Sequence, residues 1–360
     1  MHGSEGDIVG KPYRAAFIGL TGIVSAPATE NLAGGRGILP YSHASAVDRM
    51  PVDIELVAIC DLVQPLIDGF LDQWGTRWPN LKVYKDFRAM LEQENLDILL
   101  VATPDDKHAF IVEAAAAHGV PAILCEKPVA TTLADADRMI AAVEKSGSLL
   151  SIEHTRRWDP FFHRARQLID AGTIGEVKTI VGTLGGDRAM LFRNGTHVVD
   201  LMVYYSASSP KQVWAKLEDG FDGFTEYRGD GGHDPSSEPG ASAFVLFENG
   251  VRAFFNGTKG SLTNAEWDIA GTKGRIRISG TTAELFTVDG TSGEQVQRNF
   301  PAAMIMTGGI QGAWEELVKV LRAGGTNTDL RSNAYEARKT VQLLTGILKS
   351  HDEGSKLIDL

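Results

Sequence analysis

Between residues 13 and 154 the chain alternates short, continuously apolar runs with segments of helical period, and few folds accommodate that alternation. A strand covered on both faces has to be apolar throughout, whereas a covering helix needs only one apolar stripe. Repeated strand–helix–strand units build a parallel sheet, so the expected class is α/β. Six runs qualify as strands, at 15–19, 54–60, 82–84, 96–102, 120–125 and 149–153. Between them, 107–118 reads as an Ala-rich helix stopped by Gly119, and 133–145 as a helix begun at Thr131 or Thr132 and ended by Gly147.

After Glu153 the pattern changes. A mixed helix at 160–170 precedes alternating segments at 177–183 and 213–217, as half-buried antiparallel strands alternate. The runs 242–247 and 251–256 flank Glu248-Asn249-Gly250, where Asn-Gly supplies the positive φ values of a tight hairpin. Residues 219–241 are rich in Gly, Asp, Ser and Pro and are expected as a surface loop, since their acidic residues lack the spacing of a calcium loop. Further helices are expected at 311–323 and 334–350. Two domains follow, 13–154 and 155–360, the second with a largely antiparallel open sheet.

Charge narrows the partners. Lys plus Arg number 35 against 46 Asp plus Glu, a net −11 that repels nucleic-acid backbones and anionic membranes. Residues 1–12 lack a signal-like apolar stretch, and no later segment has the eighteen consecutive apolar residues of a membrane span. Cys60 and Cys125 each end an apolar strand and suggest no disulfide framework, so a reducing, cytoplasmic setting is expected. Neither these nor the nine histidines show a zinc spacing, and no metal is expected.

The first strand runs into Gly19-Leu20-Thr21-Gly22, a turn that lets backbone approach a pyrophosphate. Against G-x-G-x-x-G the second and third glycines are replaced by Thr21 and Val24, so position has to carry the argument. The second strand ends in Asp61, where a carboxylate accepts from a ribose 2′-hydroxyl and repels a 2′-phosphate, and this favours NAD over NADP. Asp61 follows Gly19 by 42 positions, where about 20 is usual. The excess is assigned to 23–40, which delays the first helix until near Ser42 and holds a competing cluster, Gly34-Gly35-Arg36-Gly37.

Strands four and five lead into Thr103-Pro104-Asp105-Asp106-Lys107-His108 and Glu126-Lys127-Pro128, at the carboxyl ends where open α/β sheets bind ligands. Together with Arg156-Arg157-Trp158-Asp159-Pro160, Gly172-Thr173-Ile174-Gly175-Glu176-Val177, and His197 with Asp200, this order resembles the glucose–fructose oxidoreductase and inositol dehydrogenase family, Gfo/Idh/MocA, over roughly 14–360. The resemblance implies an N-terminal Rossmann domain, a second domain lining a substrate cleft and supporting a homo-oligomer (dimer or tetramer), and oxidation of a hydroxyl of a sugar, cyclitol or related polyol with NAD or NADP, of which Asp61 favours NAD. It maps a lysine beside nicotinamide onto Lys127 and a general base onto His197. Thr103, Pro104, His108 and Glu126 join the cofactor contacts, with Glu126 orienting Lys127. Four residues before the histidine, where many family members carry aspartate, stands Arg193. An arginine grips carboxylates, so Arg193, with Arg156 or Arg157 as helpers, points to an acidic substrate; alternatively Asn194 positions the substrate and Lys127 carries the acid–base work.

Each residue has a plainer reading. His108 can sit in the first turn of a helix, His197 at a domain interface, Arg156 and Arg157 in structural ion pairs, and Trp158 and Trp214 in a core rather than as a substrate platform. Asp200, one turn past His197, reads better as a structural partner than as a catalytic one. Two rival functions fit the same landmarks: an NAD-dependent glycoside-cleaving enzyme working by oxidation, elimination and reduction, and a non-catalytic sugar or dinucleotide sensor.

Overall fold

The computed structural model describes residues 11–27, 42–229, 232, 234–262, 265–279, 282–299 and 309–360, with backbone alone at 29–30 and 38–39. The cluster at 34–37 lies outside the described residues. All six expected strands are present within two residues of their expected bounds: β1 (Tyr13–Ile18), β2 (Ile54–Cys60), β3 (Lys82–Tyr84), β4 (Ile98–Val101), β5 (Ala122–Cys125) and β6 (Leu149–Ile152). They form one parallel sheet in the order β3-β2-β1-β4-β5-β6, the doubly wound order with its switch point between β1 and β4. Strands β4 and β5 are buried at every residue, which is why they read as unbroken apolar runs.

The first helix departs from expectation. A single turn, Gly22–Ser25, follows the glycine turn directly instead of waiting until Ser42. It stops where Ala26 takes ψ 138° ahead of Pro27, whose ring disfavours helical backbone in the residue before it. Helix resumes at His43–Asp48, where the Ser42 side chain accepts from the Ser45 amide. The expected helices after β4 and β5 lie at His108–Ala117 and Leu133–Ser146, closed by Gly119 and Gly147 at φ +76° and +77°.

The second sheet has nine strands: β7 (Val177–Gly185), β8 (Pro210–Leu217), β9 (Ala241–Phe247), β10 (Arg252–Thr258), β11 (Glu266–Gly271), β12 (Gly274–Ser279), β13 (Thr282–Val288), β14 (Gln295–Asn299) and β15 (Ile358–Asp359). Their order is β14-β13-β12-β11-β7-β10-β9-β8-β15, antiparallel except for β7 beside β10. The β9–β10 hairpin forms as expected, but Gly250 alone, at φ +84°, takes a positive φ there, because a three-residue loop needs one left-handed residue and not two.

One face of this sheet packs on the helix Gly195–Ser206 and on the outer half of Ala334–Asp352. The inner half of that long helix packs on the first domain through Ala334, Ala337 and Val341. The helix Ile310–Arg322 also returns to the first sheet and buries Trp314 and Leu317 against Phe17. The helix Ala334–Asp352 thus joins the two sheets, while the core contacts of Ile310–Arg322 lie with the first domain.

Candidate active site

At the cofactor end, Gly19 has φ +87°, and a Cβ on it would lie 2.3 Å from the Ala102 carbonyl oxygen. Only glycine lets β1 exit against β4 in this way. The Asp61 carboxylate accepts from the amides of Leu20 and Val63, each at 2.8 Å, which ties the end of β2 to the turn and leaves further lone pairs for a ligand. The Leu20 amide donates to Asp61 and its side chain is buried in the core. Thr21 and Gly22 are exposed, and open space lies over Gly22. A backbone without side-chain cover beside a carboxylate at the end of β2 fits a dinucleotide's pyrophosphate and ribose.

His108 is fully buried, with Nδ1 3.0 Å from the Pro128 carbonyl oxygen and Nε2 3.1 Å from that of Thr103. It ties the Thr103–Pro104 exit to the chain beyond Lys127 and presents no free edge to a ligand. Thr103 and Pro104 lie on the outer side of that tie, partly buried and exposed respectively.

Glu126 and Lys127 leave β5 side by side, and the Lys127–Pro128 peptide is cis. Lys127 extends across the cleft, where its Nζ donates to the Arg193 carbonyl oxygen at 3.0 Å. Burial pulls its ammonium below the usual lysine range; Glu126 and Asp105 oppose this, while Arg193 and Arg156 add to it. Glu126 accepts from the Lys127 amide at 3.2 Å and from His43 Nε2 at 3.0 Å. The Trp314 indole, which can only donate, gives its proton to His43 Nδ1 at 3.0 Å, so the proton on that ring sits at Nε2 and points at Glu126. Burial raises Glu126, but the His43 and Lys127 contacts outweigh it and hold the carboxyl below its ordinary value. His43 and Trp314 had no signal in the sequence pattern, since 271 residues separate them.

Across the cleft, His197 stands in the first turn of Gly195–Ser206, and its Nδ1 is buried without a hydrogen-bond partner among the described residues. Burial lowers its pKa well below the histidine norm, and the charges of Arg156, Lys127 and His154 push it further, so the ring is neutral at working pH. Arg193 keeps its Nε buried and without a hydrogen-bond partner among the described residues, while its backbone amide donates to Glu238 at 3.1 Å. The Asn194 side chain donates to the Arg188 carbonyl oxygen at 2.6 Å, which anchors the loop before the helix.

The neighbours Arg156 and Arg157 part company. The guanidinium of Arg156 lies over the Trp267 ring at 5.6 Å and acts electrostatically on both Lys127 and His197. Arg157 is buried and forks onto Asp200, at 2.8 Å from Nη2 and 3.0 Å from Nε. Asp200 is therefore a structural partner of Arg157. Trp158 is 5% exposed and packs in the first-domain core.

The loop at 219–241 is more than solvent-facing chain. Tyr227 is buried, stacks on Phe192 at 4.1 Å, and donates its hydroxyl proton to Asp105. Glu238 is buried and accepts from the Phe192 and Arg193 amides. This loop thereby joins the second domain to the exit of β4, a role that its polar composition concealed.

Among the described residues no three His, Cys, Asp or Glu side chains gather as metal ligands, and no helix is long and apolar enough to cross a membrane. A family model described as an oxidoreductase family with an NAD-binding Rossmann fold matches residues 32–154, and a GFO/IDH/MocA C-terminal domain model matches 162–277. The chain is 28% identical to inositol 2-dehydrogenase of Salmonella paratyphi B over 149 residues, 41% of this chain and 43% of that protein's length. It is 26% identical to myo-inositol 2-dehydrogenase of Thermotoga maritima over 267 residues, 70% of this chain and 73% of that protein. In fold it is similar to the aldose-aldose oxidoreductase of Caulobacter crescentus crystallised with glycerol, at TM-score 0.73 and 20% identity over 97% of this chain and all of that one.

Proposed function

The chain belongs to the Gfo/Idh/MocA oxidoreductase family, and from that premise we propose that it is an NAD-dependent dehydrogenase acting on a CH–OH group of a sugar, sugar acid or cyclitol. The observation that carries this reading is the reach of Lys127 Nζ across the cleft to the Arg193 carbonyl, beside a neutral His197 with an unused nitrogen. NAD would be held by the Gly19–Gly22 turn, Asp61, Thr103, Pro104 and Glu126, and when bound it supplies the hydride acceptor. The Lys127 ammonium hydrogen-bonds the substrate oxygen and lowers its pKa, and His197 accepts the hydroxyl proton. The names of the inositol and aldose enzymes it resembles support the substrate class.

Three cationic side chains, Lys127, Arg156 and Arg193, act on one small region, which supports a substrate bearing a carboxylate. An anion there would also raise the depressed pKa of His197 and so strengthen it as a base. Asp61 supports NAD over NADP through repulsion of a 2′-phosphate. The open face of the second sheet supports a homo-oligomer: Trp214, Phe244, Phe254 and Val181 stand side by side on adjacent strands, with Trp214 and Phe254 38% and 43% exposed. A second copy of the chain would cover that row, and light scattering should return at least a dimer.

The decisive test is a panel of aldoses, inositols and sugar acids with NAD and NADP, run on the unaltered chain and on Lys127→Ala. Accumulating NADH with at least one compound is expected, with the rate falling by roughly 10²–10⁴ in the variant while NAD still binds. Aglycone release without net NADH would instead identify the glycoside-cleaving alternative.

A further inference from the structure

Buried polar atoms collect where β6 meets the helix Ile310–Arg322. Ser151 Oγ, both carboxylate oxygens of Glu153 and Gln311 Oε1 are buried there without a hydrogen-bond partner among the described residues. Glu153 is 1% exposed and sits one step beyond the last rung pairing β5 with β6, with its amide donating to the Cys125 carbonyl oxygen at 2.8 Å. Side chains directly opposite on neighbouring strands share a face, so Glu153 stands alongside Glu126, on the face where Trp314 and His43 hold the latter. Glu316, whose charge also bears on Glu153, pairs with Arg331 and borders a groove of about 750 Å³ lined also by Trp158, His163 and Lys319. A buried carboxyl group with no partner for either oxygen among the described residues calls for bridging water or a mobile proton.

We propose that Glu153 is an internal proton relay that connects the Glu126–Lys127 end of the cleft with solvent in the groove at Glu316. The inference rests on the dehydrogenase reading. Oxidising a secondary alcohol moves a hydride from carbon to nicotinamide and frees one proton from oxygen, and that proton has to leave the site. It passes from His197 or Lys127 toward Glu126. Glu153 then takes a proton on one oxygen as it gives up the proton on the other, and returns to the neutral acid.

The charges that bear on it suit this part. Burial raises its pKa well above the carboxylate norm, and Glu126 from β5 and Glu316 from the helix raise it further. The surroundings thus drive two adjacent carboxyls apart, Glu153 toward the neutral acid and Glu126 toward the carboxylate.

Infrared difference spectra of the resting protein, unaltered against Glu153→Gln, test the first half without any turnover. A carboxylic-acid C=O stretch at neutral pH that disappears in the variant is expected, and its absence from the unaltered protein overturns the proposal. Stopped-flow measurement of NADH absorbance alongside a pH indicator tests the second half. Proton appearance should keep pace with NADH in the unaltered enzyme and lag at least tenfold in Glu153→Gln, with Glu316→Gln producing a smaller lag. Coincident traces in both variants overturn the relay. If no substrate yields NADH, the dehydrogenase reading fails while the infrared result still decides whether Glu153 holds a proton.

Discussion

Replacing Asp200 with Asn separates a structural carboxylate from a catalytic one. Asp200 and Arg157 are each 1% exposed in side chain, and the guanidinium approaches the carboxylate through two nitrogens at 2.8 and 3.0 Å. Thr340 Oγ1 donates to the same carboxylate at 3.3 Å from the C-terminal helix, and Arg157 Nη1 donates to the Arg331 carbonyl at 2.8 Å. Asn leaves that web nearly isosteric but strands a buried cation, and its amide group sets donors against donors. Removing one partner of a buried pair costs about 3–5 kcal/mol, far more than an exposed pair would. The urea midpoint, followed by tryptophan fluorescence, should fall accordingly with little change in slope. The double variant Arg157→Leu with Asp200→Leu should recover most of the loss, because no uncompensated charge remains. If Asp200→Asn lost less than about 1 kcal/mol while kcat collapsed, Asp200 would have to be read as a partner of His197, one turn earlier on the same helix, and the structural assignment would be wrong.

Gly19→Ala should abolish NAD binding measured by fluorescence quenching: a left-handed φ costs an L-residue roughly 1–2 kcal/mol, and the Cβ would also collide with the Ala102 carbonyl oxygen at 2.3 Å. His154 gives the stability a defined pH window. Burial drives its pKa from 6.5 down to about 4 in the folded chain, so the unfolded chain binds the proton more readily between those values, and stability falls as pH drops through them. The loss approaches about 3 kcal/mol near pH 4, and His154→Gln should remove that dependence from denaturation midpoints taken across the window. Arg193→Ala should raise KM for carboxylated substrates by roughly tenfold or more and leave neutral polyols nearly unaffected, and equal effects on both would remove the acidic-substrate reading.

The first domain was legible because its strands are covered on both faces, which forces continuous apolar runs and leaves the chemistry at their carboxyl ends, where Asp61, Thr103 and Glu126-Lys127 were found. The contacts that complete the site were not, since none is local. Trp314 and His43 orient Glu126 from two segments far apart in the chain, and Tyr227 reaches Asp105 from a loop whose composition reads as solvent-exposed. Glu153 looked like the polar end of a strand, and only the return of Ile310–Arg322 over β6 shuts it away from water.

Arg156 and Arg157 show why residue type and spacing stop short of assigning roles. Both occupy the 3₁₀ turn Thr155–Arg157, in which successive side chains diverge by about a third of a rotation. A chain entering that turn from β6 must aim one of the two into the core and the other elsewhere. Asp200 on the Gly195–Ser206 helix takes the buried one, Arg157, and a guanidinium so placed is tolerable only because that carboxylate is already there. Arg156, turned away, lies over Trp267 and adds its charge to the field on His197 and Lys127. The two arginines were equivalent candidates in sequence because three residues are too few to display a 3₁₀ period. The same geometry predicts their separation in experiment: loss of Arg157 should appear first as instability, and loss of Arg156 as a shift in the pH dependence of catalysis, since His197 would then be relieved of one of the cations that depress it.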